Sequence, residues 1–372
     1  MRRGLWAVGL LALAGAGCFP ISPDVNKKGE VLFCREEGVF AMTAGGKVSL
    51  VHKNGEGESV VWCRWSPDGT KVLYVSGGGG GGPMGGGGEK VVVAGADGSG
   101  ARTVYTAGSN LGYALWSPKG DAISVGEMSQ KAGATGQNMP VITVRDLDGK
   151  GLATLADTGY LHDWLPDGSG VVVFRALKKL EDGNHYLGAV MVLNRAGGVR
   201  PVVKACGDQN VWLDVSPDGA RALFTALSAV GPKAELPLPG EDAESGLYLV
   251  ALADGKLRKL SAEDPEFGLF SPDGRHILAN NEDDLVLLDA ATGKVARTLA
   301  SEIATSTGGM GDSAQLYPAW GPDGSVYYWR QAAVHGKNGT ALRLMRVKAD
   351  GTGRRNVQVL MDVGVEKLVP GQ

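Results

Sequence analysis

Polar side chains of the kinds that move protons or hold cations recur at one place along this 372-residue chain. His162, Asp163, Asp208, Asn210, Asp214, Glu263, Asp264 and Asp312 all stand just ahead of a short phrase that the sequence repeats. An imidazole and several carboxylates brought to one point could serve as general acid and base, or fix a cation. His162, Asp163, Asp208, Asn210 and Asp312 are the candidates for such a site. Asp and Asn also favour turn ends for their own backbone hydrogen bonds, so solvation of a rim is the plainer reading of the same residues.

The other reactive groups lack the spacing that their chemistry needs. Cys34, Cys63 and Cys206 form no Cys-x-x-Cys pair, and the five histidines show no His-x-x-His arrangement, so no metal set of known spacing is present and no cofactor is expected. Cys34 and Cys63 fall on neighbouring repeats, where a disulfide would need their Cα atoms within bonding range. The glycine tract 77–82 and 85–88 is a flexible low-complexity loop, because no helix follows it to supply a phosphate site. Gly311-Asp312-Ser313-Ala314-Gln315 begins like a hydrolase nucleophile elbow but lacks its last glycine.

The elements that must position these residues come from the repeat itself. Trp65-Ser66-Pro67-Asp68-Gly69 recurs as Trp116-Ser117-Pro118-Lys119-Gly120, Trp164-Leu165-Pro166-Asp167-Gly168, Val215-Ser216-Pro217-Asp218-Gly219, Phe270-Ser271-Pro272-Asp273-Gly274 and Trp320-Gly321-Pro322-Asp323-Gly324. The prolines are 51, 48, 51, 55 and 50 residues apart, the signature of one supersecondary unit used over and over. Pro presets the second position of a tight turn, Asp caps it and Gly takes its φ > 0 corner. Each copy then carries two apolar runs and a second Asp-Gly or Gly-rich turn, which predicts four short strands, A to D.

Three residues before the large residue that opens each phrase stand Trp62, Tyr113, Leu161, Trp212, Phe267 and Tyr317. An odd spacing puts the two bulky columns on opposite faces of strand A, which must therefore be buried between two sheets. Four-stranded units repeated radially are the blades of a β-propeller. We expect an all-β propeller of seven blades, with six as the alternative. Val365 and Leu368 fit the bulky columns of strand A and Pro370 fits the turn, so the C-terminal strand is expected to complete the first blade and close the ring. Ile21-Ser22-Pro23-Asp24 also resembles the turn phrase and offers a more conventional first blade.

The Ser-Pro-Asp-Gly turn, followed by strand B and an Asp-Gly hairpin, resembles the propeller repeat of the TolB family, over roughly residues 30–372. That resemblance implies a periplasmic protein-binding propeller, with the B–C and D–A connections on one face and the A–B and C–D turns on the other. The separate N-terminal domain of TolB is not expected ahead of this propeller, so the partner contacts of TolB are not expected to carry over. On this reading the B–C connections at about 76–89, 127–140, 176–188, 227–246 and 331–340 are long, and the 301–316 link adds to the same face. A loop-rich face on a rigid scaffold is where binding resides. The chain is expected to be a non-catalytic monomer that binds a protein, peptide or polysaccharide of the cell envelope; the alternative is a propeller hydrolase or lactonase with its site at the mouth of the axial channel.

The N-terminus gives the address. A charged start at Arg2 and Arg3, an apolar run over 5–14 and Gly15-Ala16-Gly17-Cys18 read as an exported leader, too short to span a bilayer. The end of that run resembles a bacterial lipobox, which implies acylation of Cys18 and a lipid-anchored protein, placed by preference at the outer membrane. The expected division is a signal peptide over 1–17, a lipid-anchored linker over 18–29 and a single propeller over 30–372. Losing the leader takes the 37 basic residues to 35 against 40 acidic ones, a net charge of −5, which offers no basic surface for nucleic acid.

Overall fold

The protein was analysed as a computed structural model, which describes residues 23–35, 37–78, 88–208, 211–236, 246–260, 265–281, 283–301, 303, 317–333 and 340–363. The described residues form 29 strands in seven sheets and carry no helix. Six sheets have four strands and one has five, each sheet is antiparallel, and strand order follows chain order outward from strand A. The seven blades span 24–53, 58–106, 111–155, 158–207, 213–259, 268–300 and 319–363.

The core is seven apolar layers, one between each pair of neighbouring blades. Leu32, Cys34 and Val39 of blade 1 pack on Trp65, Val72 and Tyr74 of blade 2. Leu73 and Val75 of blade 2 then meet Ile123 and Val125 of blade 3. The last layer joins the chain's two ends, with Val31, Phe33 and Met42 of blade 1 against Tyr327, Trp329 and Leu344 of blade 7. No blade can bury its faces alone, which is why the repeat must be a ring. The two bulky columns divide as their spacing predicts. Trp65, Trp116 and Trp164 face the preceding blade, whereas Trp62 faces the following blade and Trp212, Phe267 and Tyr317 face the axis.

Turn chemistry repeats from blade to blade. In blade 2 the Ser66 hydroxyl donates to Asp68 Oδ1 (2.6 Å) and accepts from the Lys71 amide (2.9 Å), while Gly69 turns at φ 69°. Ser216 with Asp218 and Ser271 with Asp273 do the same. Blade 3 has Lys119 in place of the aspartate, and there Asp121 takes the serine hydroxyl instead (2.7 Å). On the outer side, the C–D turn glycine of one blade abuts a strand D carbonyl of the blade before it. A Cβ on Gly98 would lie 2.0 Å from the Val51 oxygen, and one on Gly149 2.4 Å from that of Val104.

The ring begins differently from the sequence expectation. The inner place of blade 1 is held by Asp24–Val25, which pairs with Val31–Arg35 through Asp24↔Leu32 and Val25↔Val31. The C-terminal stretch 365–371, expected there, lies outside the described residues. The seventh turn is Val25-Asn26-Lys27-Lys28-Gly29, which has neither Ser-Pro nor Asp. Asn26 does both jobs: its Oδ1 accepts the amides of Lys28 (2.9 Å) and Glu30 (3.1 Å), and Gly29 turns at φ 75°.

Candidate functional site

Two places could carry function: the axis and the face that bears the B–C connections. Around the axis, strand A of each blade contributes two inward positions. The first holds Trp62, Tyr113, Leu161, Trp212, Phe267 and Tyr317 in blades 2–7. All but Leu161 are aromatic, and their rings meet around the centre, with Trp212 and Tyr317 centroids 4.2 Å apart and Trp62 edge-on to Tyr113 at 4.7 Å. The indoles also lock neighbours together: Trp62 Nε1 donates to the Ala114 carbonyl (2.8 Å) and Trp212 Nε1 to that of Gly268 (2.6 Å).

The second position, two residues nearer the A–B turn, holds Asp24, Arg64, Leu115, Asp163, Asp214, Leu269 and Ala319. Its three aspartates act alike. Asp24 Oδ2 accepts the Trp65 amide (2.6 Å), Asp163 Oδ2 that of Val215 (2.8 Å) and Asp214 Oδ2 that of Phe270 (2.7 Å), in each case the strand A of the next blade. Arg64 lies over the Trp62 ring at 3.6 Å; burial raises the Asp24 carboxyl above its ordinary value, and the Arg64 charge pulls it only partway back. Between the two positions lies a cavity of about 140 Å³, lined among others by Trp62, Arg64, His162, Asp163, Asp214 and Tyr317.

Burial sets the electrostatics here. It pushes the Asp163 carboxyl up to about 6, held back by the amides of Val215 and Trp164. Asp214 is raised well above the carboxylate range, by burial first and by the Asp163 charge second. Burial likewise raises the Tyr113 hydroxyl to about 12. His162 is 5% exposed and its Nε2 lies 2.7 Å from the buried Ser124 hydroxyl of blade 3.

Of the residues singled out in the sequence, His162, Asp163 and Asp214 therefore line one cavity, and the two carboxylates are engaged by backbone amides. Asp208 is exposed at the end of blade 4. Cys18, Asn210, Glu263, Asp264 and Asp312 lie outside the described residues. Asp24 and Arg64 were not anticipated; Asp24 stands at the same offset before its turn as Asp163 and Asp214, and would have been found had the Asn26 turn been placed. Among the described residues no three His, Cys, Asp or Glu side chains gather around a possible metal position.

The second place is the opposite end from the A–B turns. Antiparallel order puts every B–C connection there, and several are continued ladders where loops were expected. In blade 3 the hairpin runs on through Glu127↔Val141 and Met128↔Pro140 to Ala132↔Asn138. In blade 4 it reaches Lys179↔Tyr186, and in blade 7 Ala333↔Thr340. The B–C connection of blade 5 crosses sideways, where Ser228–Val230 becomes the fifth strand of blade 4 through Lys204↔Val230 and Cys206↔Ser228. Blade 6, by contrast, turns directly after Asn281↔Asp284.

These arms are braced at their bases. Glu127 accepts the amides of Gly108 (2.7 Å) and Ser109 (3.0 Å) and the Tyr105 hydroxyl. Asp157 adopts φ 59°, costly for a non-glycine residue, with its side chain taking the Ala134 amide of the blade 3 arm (3.0 Å) and its carbonyl the Ala176 amide of blade 4 (2.7 Å). Met139 of the blade 3 arm is buried in the layer between blades 4 and 5. Beyond these braces, Leu177 is 48% exposed and residues 181–184 are exposed.

No family model matches the sequence, and no curated protein matches it. Solved structures do. The chain is similar to an oligogalacturonate lyase in complex with manganese, at 15% identity and a TM-score of 0.60, with 87% of each chain covered. It is similar to the tricorn protease at 12% identity and a TM-score of 0.57, over 96% of this chain and 36% of that one. TolB from Acinetobacter baumannii aligns at 18% identity and a TM-score of 0.49, over 80% of this chain, which spans 65% of the length of that TolB. Such likenesses show the fold. The chain is a seven-bladed propeller, as the period of the turn phrase implied.

Proposed function

We propose that this chain is a non-catalytic, exported propeller scaffold that binds a protein, peptide or polysaccharide of the cell envelope on the face that bears the hairpin arms. The observation that supports it is the inequality of the two faces. One end is a ring of near-identical tight turns, while the other raises braced arms on blades 3 and 4, a further paired hairpin on blade 7 and a cross-strand between blades 4 and 5. Ladders held in place before binding lose little conformational freedom on binding, which favours recognition of a shaped partner. An enzyme working from the axial channel is the weaker reading, because its best-placed carboxylates are already engaged in joining blades. Residues 1–17 and Cys18 support the address: export, followed by acylation at Cys18.

The test is an affinity pull-down from envelope extract with the mature protein and with a variant in which 176–188 and 227–246 are cut to tight turns. A specific partner retained by the parent and lost by the variant, with unchanged circular dichroism, is expected. Identical profiles would overturn the arm-face reading. The same extract checks the address, since the parent should sediment with membranes and the Cys18→Ser protein should not.

A further inference from the structure

Cys34 and Cys63 bring two thiols together across the layer between blades 1 and 2. Cys34 lies on Val31–Arg35 of blade 1 and Cys63 on Glu58–Trp65, the innermost strand of blade 2. Their Sγ atoms are 3.0 Å apart across the layer between the blades, and the residues are only 3% and 2% exposed. The third thiol, Cys206, is buried in blade 4, where burial raises it to about 11 and so keeps it protonated and unreactive.

We propose that Cys34 and Cys63 form an inter-blade disulfide when the protein matures in an oxidising compartment, so that blade 1 is covalently fastened to blade 2. The sulfurs need close only from 3.0 Å to the roughly 2.05 Å of an S–S bond. The chemistry is thiol–disulfide exchange with an external disulfide, either a small-molecule one or that of an oxidoreductase. One cysteine thiolate attacks it and releases a thiol, then the second displaces the other sulfur. The S–S bond of the oxidant breaks, that of the protein forms, and the two electrons and two protons lost by the cysteines end on the two new thiols. Because both cysteines are buried once the blades have docked, the bond forms during folding, and the native protein shields it from reductant. The location of this step rests on the export proposed above, but the pairing itself does not.

The experiment is therefore done with purified chain refolded from denaturant in a glutathione redox buffer, which separates the pairing from the export. After alkylation without reduction, a tryptic digest should contain residues 29–35 joined to 54–64, two hydrogens lighter than the separate peptides and absent after reduction. Closing a loop of this length should raise the melting temperature by about 5 °C over the reduced protein. The Cys34→Ala/Cys63→Ala protein should melt at one temperature with or without reductant. Recovery of both peptides as separate alkylated species from the unreduced sample would overturn the proposal. If the bridge forms in the tube but not in protein taken from cells, the pairing stands and the export reading fails.

Discussion

The penultimate residue of strand A decides much of how adjacent blades are aligned. An aspartate there places one carboxylate oxygen on a backbone amide of the neighbouring blade, seen at Asp24, Asp163 and Asp214. Such a bond satisfies an amide that burial would otherwise leave costly, and also brings a carboxyl group out of water. Asp163 illustrates the balance. Its folded value of about 6 lies above the ordinary 3.8, so folding favours the protonated form. The resulting stabilisation is complete below about pH 3.8 and is lost as the pH rises through about 6. Asp163→Asn keeps an oxygen for the Val215 amide and has no proton to lose. Between pH 5 and 7 the parent should therefore lose about 3 °C of melting temperature relative to this variant. Parallel melting curves across that range would show that Asp163 does not titrate there. Asp163 and Asp214 are visible in the sequence as polar residues just ahead of the turn phrase, but their partners lie about fifty residues downstream on another blade, which no local pattern reveals.

Among elements, the strands and tight turns were the most legible. Alternating apolar runs bounded by Asp-Gly leave little else to form, and six of the seven A–B turns announce themselves by Pro and Gly at fixed positions. The seventh was hidden because Asn26 performs with one side chain what Ser and Asp share elsewhere. The arms were read as loops because their tips run through Gly133-Ala134-Thr135-Gly136 and Glu181-Asp182-Gly183-Asn184, where apolar alternation gives way to polar residues while backbone pairing continues up to them. Glycines of similar φ also differ in meaning between turns. Gly98 turns at φ 85° beneath the Val51 carbonyl, while Gly183, at φ 78°, has open space where a side chain would go. Gly183→Ala should cost roughly 1 kcal/mol through its dihedral alone. Gly98→Ala adds a collision with the blade 1 backbone and should cost a further roughly 1–3 kcal/mol. Urea midpoints of the two proteins measure the difference, and equal midpoints would remove the close approach from the account.

The whole molecule is a ring of seven layers, and the one between blades 7 and 1 differs from the rest in joining sequence-distant parts. Trp329 is its largest side chain and is 1% exposed. Trp329→Ala should cost about 3–5 kcal/mol. Hydrogen exchange should show the loss in blades 1 and 7 together while blades 3 and 4 keep their protection; uniform loss around the ring would mean that the blades do not open separately.

The seam also dictates an order of events during synthesis. Six of the seven layers join blades that are consecutive in sequence, so each can form soon after the next fifty residues emerge, at low contact order. The layer of Val31, Phe33 and Met42 with Tyr327, Trp329 and Leu344 must wait for nearly the whole chain. Closure entropy grows only logarithmically with loop length, so the delay costs little in equilibrium stability. It is costly in time: until blade 7 is complete, the apolar edge of blade 1 stands exposed to other unfinished copies, and that interval is when this chain is most open to misassembly.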